Sequence, residues 1–195
     1  MPQGCRRPER DDARRHKTAL FIGRIYPVKG LPSLIEAWAR VRPRGWQLRI
    51  AGPDEGGHKA EVEQAVLANG LCEVVSFVGP VHGAAKRREL CNADLLVLPS
   101  HSESFGMAVG EALAHGVPVL TTKGTPWRIL PERRCGWWVD ATIDGITEGL
   151  REVTSQDAQV LREMGGRGRE LVAAEFGWER VASRFVEIYR GLSEG

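Results

Sequence analysis

The chain has 195 residues, of which 42% are hydrophobic and 27% charged, and its net charge is +2. These values are typical of a globular protein with a substantial core, and so small a net charge does not favour a nucleic-acid-binding or membrane-binding surface. No apolar run approaches the roughly 20 residues that cross a bilayer, and the first residues lack the apolar segment of a secretory signal, so we expect a cytoplasmic protein.

Short apolar runs alternate with amphipathic stretches along most of the chain. We predict strands from these runs at residues 18–25, 46–52, 74–79, 94–100, 117–122 and 136–140. Helices are predicted between them at residues 31–41, 59–70, 84–93 and 106–116. From Thr142 onward the pattern is helical, with breaks expected near Ser155, at Gly165–Gly166 and at Gly177, and with a last helix over 178–192.

The order of these elements indicates the fold class. Strands separated by helices of about 10 to 15 residues are typical of βαβ units and a parallel sheet. The strands are continuously apolar, as expected when helices cover both faces of the sheet. The sequence therefore predicts an α/β fold with a doubly wound, Rossmann-like parallel sheet in one domain over residues 18–195. Residues 1–17 are highly charged and lack periodicity, so we expect them to form a disordered lead-in.

The loop after the first strand, GRIYPVKG, is the first candidate site. Ligands of doubly wound sheets bind beyond the carboxyl ends of the strands, and the loop brings Arg24 and Lys29 to that edge beside a helix start. Two cations near free helix amides favour a phosphate, with two solvated surface cations as the alternative. The loop has neither GxGxxG nor GxxxxGK[ST], which disfavours a dinucleotide-dependent oxidoreductase and a P-loop nucleoside triphosphatase.

The stretch SHSESFGMAVGEALAHG, after the fourth strand, is the second candidate site. It places Glu103 in a loop and Glu111 eight residues later, in a helix of otherwise small apolar residues. A carboxylate in such surroundings needs partners, and two vicinal hydroxyls are suitable donors. The amides of Phe105, Gly106 and Met107 would lie at the start of that helix, where backbone donors are unpaired. The alternative is that both glutamates are solvated charges.

Together these motifs resemble those of a known family. GRIYPVKG matches its G-R-x-x-x-x-K-G loop, and ESFGMAVGE matches the E-x7-E motif of retaining glycosyltransferases with the GT-B fold, in family 4, also called group 1. The similarity continues through FVGPV, NADLLVLPS, EALAHGVPVLTT and FGWERVASRFVEIYRGL, and covers nearly everything from Thr18 to Leu192. The chain resembles the C-terminal, donor-binding domain of such an enzyme.

The resemblance implies a role for each matched residue. Arg24 and Lys29 would clamp the diphosphate of a nucleotide-sugar donor, where many other sugar transferases use a metal. No cofactor is implied, and the four scattered cysteines show no zinc-binding spacing. Glu111 would bind the ribose, and Glu103, the predicted catalytic residue, would hold the donor sugar for transfer with retained configuration. The other predicted donor contacts are Gly52, Val78 and Val81 beside the base, and Phe105, Gly106 and Met107 beside the diphosphate or sugar.

The resemblance also gives expectations about partners. The family binds its acceptor mainly on an N-terminal domain, which we expect to be absent from this chain. The expected ligand is a nucleotide-sugar donor, without nucleic acid, and membrane contact would come only through the acceptor, at the inner face of the membrane. Lipopolysaccharide or another envelope glycan is the expected product. The alternatives are a non-catalytic nucleotide-sugar-binding module or an inactive fragment, and, less favoured because the dinucleotide fingerprint is missing, an oxidoreductase or epimerase.

Overall fold

The computed structural model describes residues 16–177 of the chain. Its strands are β1 (Lys17–Ile22), β2 (Trp46–Ala51), β3 (Val75–Gly79), β4 (Leu95–Leu98), β5 (Val119–Thr122) and β6 (Gly136–Val139). Its helices are α1 (Leu31–Val41), α2 (His58–Ala68), α3 (Gly83–Asn92), α4 (Met107–Ala114), α5 (Ile129–Glu132), α6 (Ile143–Thr154) and α7 (Ala158–Phe176). A turn of 3-10 helix, Pro27–Lys29, precedes α1. The predicted strands, and the four helices predicted between them, are confirmed.

The strands form one sheet in the order β3-β2-β1-β4-β5-β6, and all neighbouring strands are parallel. The predicted doubly wound, Rossmann-like fold is therefore confirmed. Strands β2 and β3 lie on one side of β1. The chain then crosses to the other side of β1, where it forms β4, β5 and β6 in that order. The loops that follow β1 and β4 consequently lead away to opposite sides, and a crevice for ligands opens at this point of such sheets.

Two helix layers cover the sheet. In one layer α1 packs against α2 and α6, and in the other α4 packs against α7. A division of this kind is expected of right-handed crossovers, whose connections change face where the direction across the sheet reverses. Every residue of β4 and β5 is buried, which explains why these strands are continuously apolar or carry only small hydroxyl side chains.

Helix α7 runs without interruption from Ala158 to Phe176, so the break predicted at Gly165–Gly166 is wrong. The glycines there serve close packing. A Cβ added to Gly165 would lie less than 3.0 Å from the carbonyl oxygen of Gly116, and one added to Gly168 would lie 2.6 Å from a methyl of Leu113. The backbone of α7 therefore meets the carboxyl end of α4 directly, and only glycine leaves room for that contact.

The remaining boundaries lie within a few residues of the predicted ones or beyond the described range; β1, for example, ends at Ile22 and β4 at Leu98, before the predicted ends at residues 25 and 100. The break predicted near Ser155 is confirmed, because α6 ends at Thr154 and α7 begins three residues after Ser155. Strand β1 begins at Lys17, one residue before the predicted start. The short helix α5 was not predicted. Residues 1–15 of the predicted lead-in and the predicted helix over 178–192 lie outside the described residues.

Substituting two adjacent glycines of α7 tests the packing role. Gly165→Ala should lower the free energy of unfolding by about 1 to 3 kcal/mol, because the added methyl must displace the backbone of Gly116. Gly166→Ala is the matched control: nothing lies within 4 Å of its Cβ position, so it should stabilise the helix by about 0.5 to 1 kcal/mol. Urea unfolding of both variants measures the difference, and effects of the same sign would contradict the packing role.

Candidate functional site

The loops after β1 and β4 touch each other at the carboxyl edge of the sheet. Gly30 has a φ of 66° and ends the 3-10 turn, and a Cβ there would lie less than 3.0 Å from the carbonyl oxygen of Pro99. The amide of His101 donates a hydrogen bond of 2.8 Å to the carbonyl of Val28. Since both the backbone angle and the close approach require glycine, the contact fixes the two loops against each other.

An ion pair between Lys29 and Glu103 bridges these two loops. The Lys29 ammonium donates to Oε1 of Glu103, and the hydroxyl of Ser100, which is fully buried, donates to the same oxygen at 2.8 Å. Both side chains of the ion pair are 13% exposed, so they are shielded but still reach the surface of the crevice. The site therefore offers a cation suited to a phosphate and a carboxylate suited to hydroxyl groups, side by side.

The loop that carries Glu103 is also held from the side of β5. The Glu103 amide donates to the Gly124 carbonyl at 2.8 Å, and the hydroxyl of Thr122 donates to the Ser100 carbonyl. A Cβ on Gly124 would lie less than 3.0 Å from the carbonyl of His101, so the two loops are in backbone contact. The position of Glu103 is thus determined by three loops, which follow β1, β4 and β5.

Glu111 lies in the second turn of α4 and pairs with Lys86 of α3. The Lys86 ammonium donates to Oε1 at 2.7 Å and lies 2.5 Å from Oε2, although its direction is not that of a hydrogen bond to Oε2. Oε2 is buried, while the whole Glu111 side chain is 34% exposed. This geometry agrees with the predicted half-shielded carboxylate, and it identifies the partner that such a carboxylate needs.

Arg24 forms an ion pair with a different carboxylate from the one that Lys29 contacts. Its guanidinium donates to both oxygens of Glu55, at 2.8 and 2.6 Å, and both side chains are substantially exposed. The Ile25 amide donates to the Pro53 carbonyl at 2.8 Å, so the loops after β1 and β2 are also joined. Since exposed ion pairs contribute at most about 1 kcal/mol, Arg24 can turn from Glu55 towards an anion at little cost.

The residues predicted beside the base lie at the same edge of the sheet. Gly52 follows β2, and its amide donates to the carbonyl of Gly79 at 2.9 Å. A Cβ on Gly52 would overlap the carbonyl oxygen of Gly23, so the ends of β1 and β2 also touch here. Val78 lies in β3 and Val81 precedes α3, and both side chains are half-buried. A position of these three residues beside the base stays a prediction.

The start of α4 lies where it was predicted. Gly106, with a φ of 77°, is the N-cap residue, and Met107, which is 67% exposed, is the first helical residue. Phe105 packs its ring on Trp127 and Phe176 at centroid distances of 5.2 and 5.5 Å, and its carbonyl accepts a 2.5 Å hydrogen bond from the Trp127 indole. The buried indole therefore anchors the turn that begins the helix. A role of these three amides in ligand binding stays a prediction.

Three residues of the site were not predicted from the sequence. Ser100 could have been predicted, because it ends the apolar run of the fourth strand. A hydroxyl at that position is expected to be buried at the carboxyl edge of the sheet. Lys86 stands in a row of three cations with Arg87 and Arg88, and nothing in that row indicates which one turns inward. Glu55 lies in a turn rich in glycine and acidic residues, where no periodicity points to a partner.

Neither a metal cluster nor a membrane span occurs in residues 16–177. Within that range no group of three or more His, Cys, Asp or Glu side chains is arranged to hold a metal ion. The helices of the same range are too short or too polar to cross a bilayer. The ion pairs that we relate to a ligand are those of Lys29 with Glu103, Lys86 with Glu111, and Arg24 with Glu55.

Comparison with known proteins links this geometry to one family. The family model described as glycosyl transferases group 1 matches residues 7–171. A D-inositol 3-phosphate glycosyltransferase from Arthrobacter sp. (strain FB24) is 34% identical over 175 residues, which cover 87% of this chain and 41% of the relative. The chain thus spans about two-fifths of the length of the curated relatives that it matches.

Two solved structures have the same fold. Sucrose-phosphate synthase from Thermosynechococcus elongatus superimposes with a TM-score of 0.80 and 27% identity, over 92% of this chain and 46% of that protein. The C-terminal domain of a group 1 family glycosyl transferase from Francisella tularensis gives a TM-score of 0.74 and 25% identity, over 83% of this chain and 87% of that domain. The chain therefore corresponds to almost the whole of a C-terminal domain of this kind.

A double-mutant cycle tests the contact between Lys29 and Glu103. Lys29→Met or Glu103→Gln alone should lower the free energy of unfolding by roughly 2 to 4 kcal/mol, because each leaves a shielded group without its partner. The double variant should lose less than the sum, with a coupling of about 1 to 3 kcal/mol from chemical unfolding.

The exposed pair of Arg24 and Glu55 is the matched control for this cycle. Arg24→Met and Glu55→Gln should couple by less than about 1 kcal/mol, because solvent screens the pair. If the two cycles give equal coupling energies, the Lys29–Glu103 contact is no stronger than an ordinary surface pair. The interpretation that this shielded pair stabilises the fold is then wrong.

Proposed function

The chain belongs to the group 1 glycosyl transferases, and we propose that its crevice binds the nucleotide-diphospho-sugar donor of a retaining transferase. The observation that carries the proposal is the convergence of Lys29 and Glu103 between β1 and β4. A cation for the diphosphate and a carboxylate for the sugar meet there, at the reversal of strand order where such sheets bind ligands.

The diphosphate is assigned to Lys29 and Arg24. Lys29 lies at the start of α1, where the positive end of the helix dipole adds to its charge. As the bond between sugar and diphosphate breaks, negative charge grows on the departing nucleoside diphosphate, and a cation fixed nearby lowers the energy of that state. Arg24 would add a second cation by turning away from Glu55. In this proposal side chains alone neutralise the leaving group, without a metal.

The donor sugar is assigned to Glu103. The two side-chain contacts of its carboxylate, from Lys29 and Ser100, both go to Oε1. Oε2 is therefore the atom that we assign to the sugar hydroxyls. Since three loops hold the residue in place, the carboxylate can orient the sugar without a large rearrangement, and preorganisation of this kind favours transfer in one geometry. Retention of the anomeric configuration is part of the proposal.

Glu111 is assigned to the ribose, and the residues at the end of β3 to the base. Their spacing on one loop and helix would put Glu103 and Glu111 at successive points along an extended ligand, with the sugar at one end and the ribose at the other. Gly52, Val78 and Val81 would border the base. The amides of Phe105, Gly106 and Met107 would meet the diphosphate or the sugar.

The acceptor is not assigned to this crevice. We propose that acceptor-binding groups belong to a further domain or partner, as expected from the two-fifths of the relatives' length that the chain matches. A cytoplasmic position, at the membrane surface when the acceptor is a lipid, and a role in lipopolysaccharide or another envelope glycan stay predictions. A non-catalytic nucleotide-sugar-binding module would use the same donor contacts, so donor binding is the property to test.

Calorimetric titration of the chain with UDP, GDP and ADP, in magnesium and in EDTA, tests donor recognition. One nucleotide should bind with an affinity that EDTA does not change. Glu111→Ala should weaken it by about 1 to 3 kcal/mol, because charge-assisted hydrogen bonds to the ribose are lost. Glu148→Ala, an exposed change on α6 in the other helix layer, is the control and should leave the affinity unchanged. If none of the nucleotides binds, or Glu111→Ala binds as the wild type does, the assignment is wrong.

The phosphate assignment makes a separate prediction. The double variant Arg24→Ala/Lys29→Ala should weaken the preferred nucleoside diphosphate by about 1.5 to 3 kcal/mol for each lost charged contact, while the bare nucleoside should lose little. Arg44→Ala, an exposed change before β2 at the opposite edge of the sheet, serves as control. Competition titration compares the two ligands, and equal losses would show that the loop is not a phosphate clamp.

A further inference from the structure

We propose that Lys86 is a positioning residue that holds Glu111 in the orientation in which its carboxylate receives the ribose hydroxyls. The inference rests on the proposed function of Glu111 and adds a residue to it. Lys86 belongs to α3 and Glu111 to α4, so their contact joins two helices through residues that are 25 positions apart along the chain. No sequence motif links these two residues, and the geometry alone brings them together.

A second ion pair, between β2 and α3, holds helix α3 on the sheet. Arg49 of β2 donates through Nε and Nη2 to the two oxygens of Glu89, both at 2.9 Å. Such a bidentate pair restricts rotation as well as distance. Glu89 lies three residues after Lys86, and residues at this spacing lie on the same side of a helix. The helix from which Lys86 extends is therefore tied to β2, which suits a positioning residue.

The two oxygens of Glu111 have different surroundings. Oε2 is buried and lies 2.5 Å from the Lys86 ammonium, whereas Oε1 accepts the Lys86 hydrogen bond at 2.7 Å. The side chain as a whole is 34% exposed, so it still reaches the crevice. The ammonium thus contacts both oxygens, and because Oε2 is buried, Oε1 is the oxygen that we assign to the ribose. A carboxylate oxygen can accept more than one hydrogen bond, so Oε1 can bind Lys86 and a hydroxyl together.

Lys86 could instead affect binding through its charge alone. A lysine that merely attracts the diphosphate would strengthen ribose and deoxyribose nucleotides by the same factor. A lysine that orients Glu111 would strengthen the ribose nucleotide more than the 2′-deoxyribose nucleotide, because the latter lacks one of the two vicinal hydroxyls. The preference for ribose over 2′-deoxyribose therefore separates the two roles, and total affinity does not.

The experiment measures this preference by calorimetry with a matched ligand pair, UDP and 2′-deoxy-UDP, or the GDP or ADP pair if that base binds best. Wild type should prefer the ribose form by about tenfold or more, as expected of charge-assisted hydrogen bonds. Lys86→Met should reduce the preference to less than about threefold. Lys86→Arg, which keeps the charge and donors, should retain most of it. Arg88→Met, an exposed change on the same helix, is the control and should leave the preference unchanged.

Each result decides between the two roles. If Lys86→Met keeps the wild-type ribose preference, Lys86 does not position Glu111, while the proposed function stands. If wild type itself binds both sugars equally, the ribose role of Glu111 fails and this inference fails with it. Thermal unfolding of the variants shows whether they fold. If Lys86→Met does not fold, Lys86→Arg becomes the test. Loss of the ribose preference in folded Lys86→Arg would then overturn the inference.

Discussion

The structure depends on backbone contact between the loops after β1 and β4. Gly30 permits this contact, because any side chain there would collide with Pro99. Once the loops touch, Lys29 and Glu103 come from opposite sides of the strand-order reversal and meet as a shielded ion pair. The contact thereby determines both the shape of the crevice and the position of its charges. Two further glycines at the same edge, Gly52 and Gly124, permit similar contacts between the neighbouring loops.

The electrostatics of the crevice follow a common pattern. Each of the two glutamates has a lysine from a different element as its partner, Lys29 for Glu103 and Lys86 for Glu111. A pair of bare carboxylates would repel a diphosphate, whereas matched pairs leave the crevice close to neutral. The lysines also restrict the rotamers of the carboxylates, so their orientation does not have to be created when a ligand binds. Recognition of hydroxyls and of phosphate can therefore coexist within one small site.

The sequence predicted the elements better than the contacts between them. Continuous apolar runs indicated the buried strands, and the periodicity of LPSLIEAWARV gave the bounds of α1, Leu31–Val41. The predicted break in α7 was wrong because a glycine that permits helix packing looks, in the sequence, like one that ends a helix. Glu103 and Lys29 were identified by their motifs, but Lys86 could not be, since only the packing of α3 on the sheet decides which of three adjacent cations turns towards α4.

The same geometry explains how donor and acceptor recognition can be separate. All the side chains that we assign to the donor come from loops and helices at one edge of a single sheet, and contacts among the described residues hold them in place. Their arrangement therefore needs no contribution from an acceptor site. In the proposed function, an acceptor would approach the sugar from outside this edge of the sheet. Under the same proposal, specificity for the donor accordingly resides in this fold, and the choice of acceptor in whatever faces the crevice.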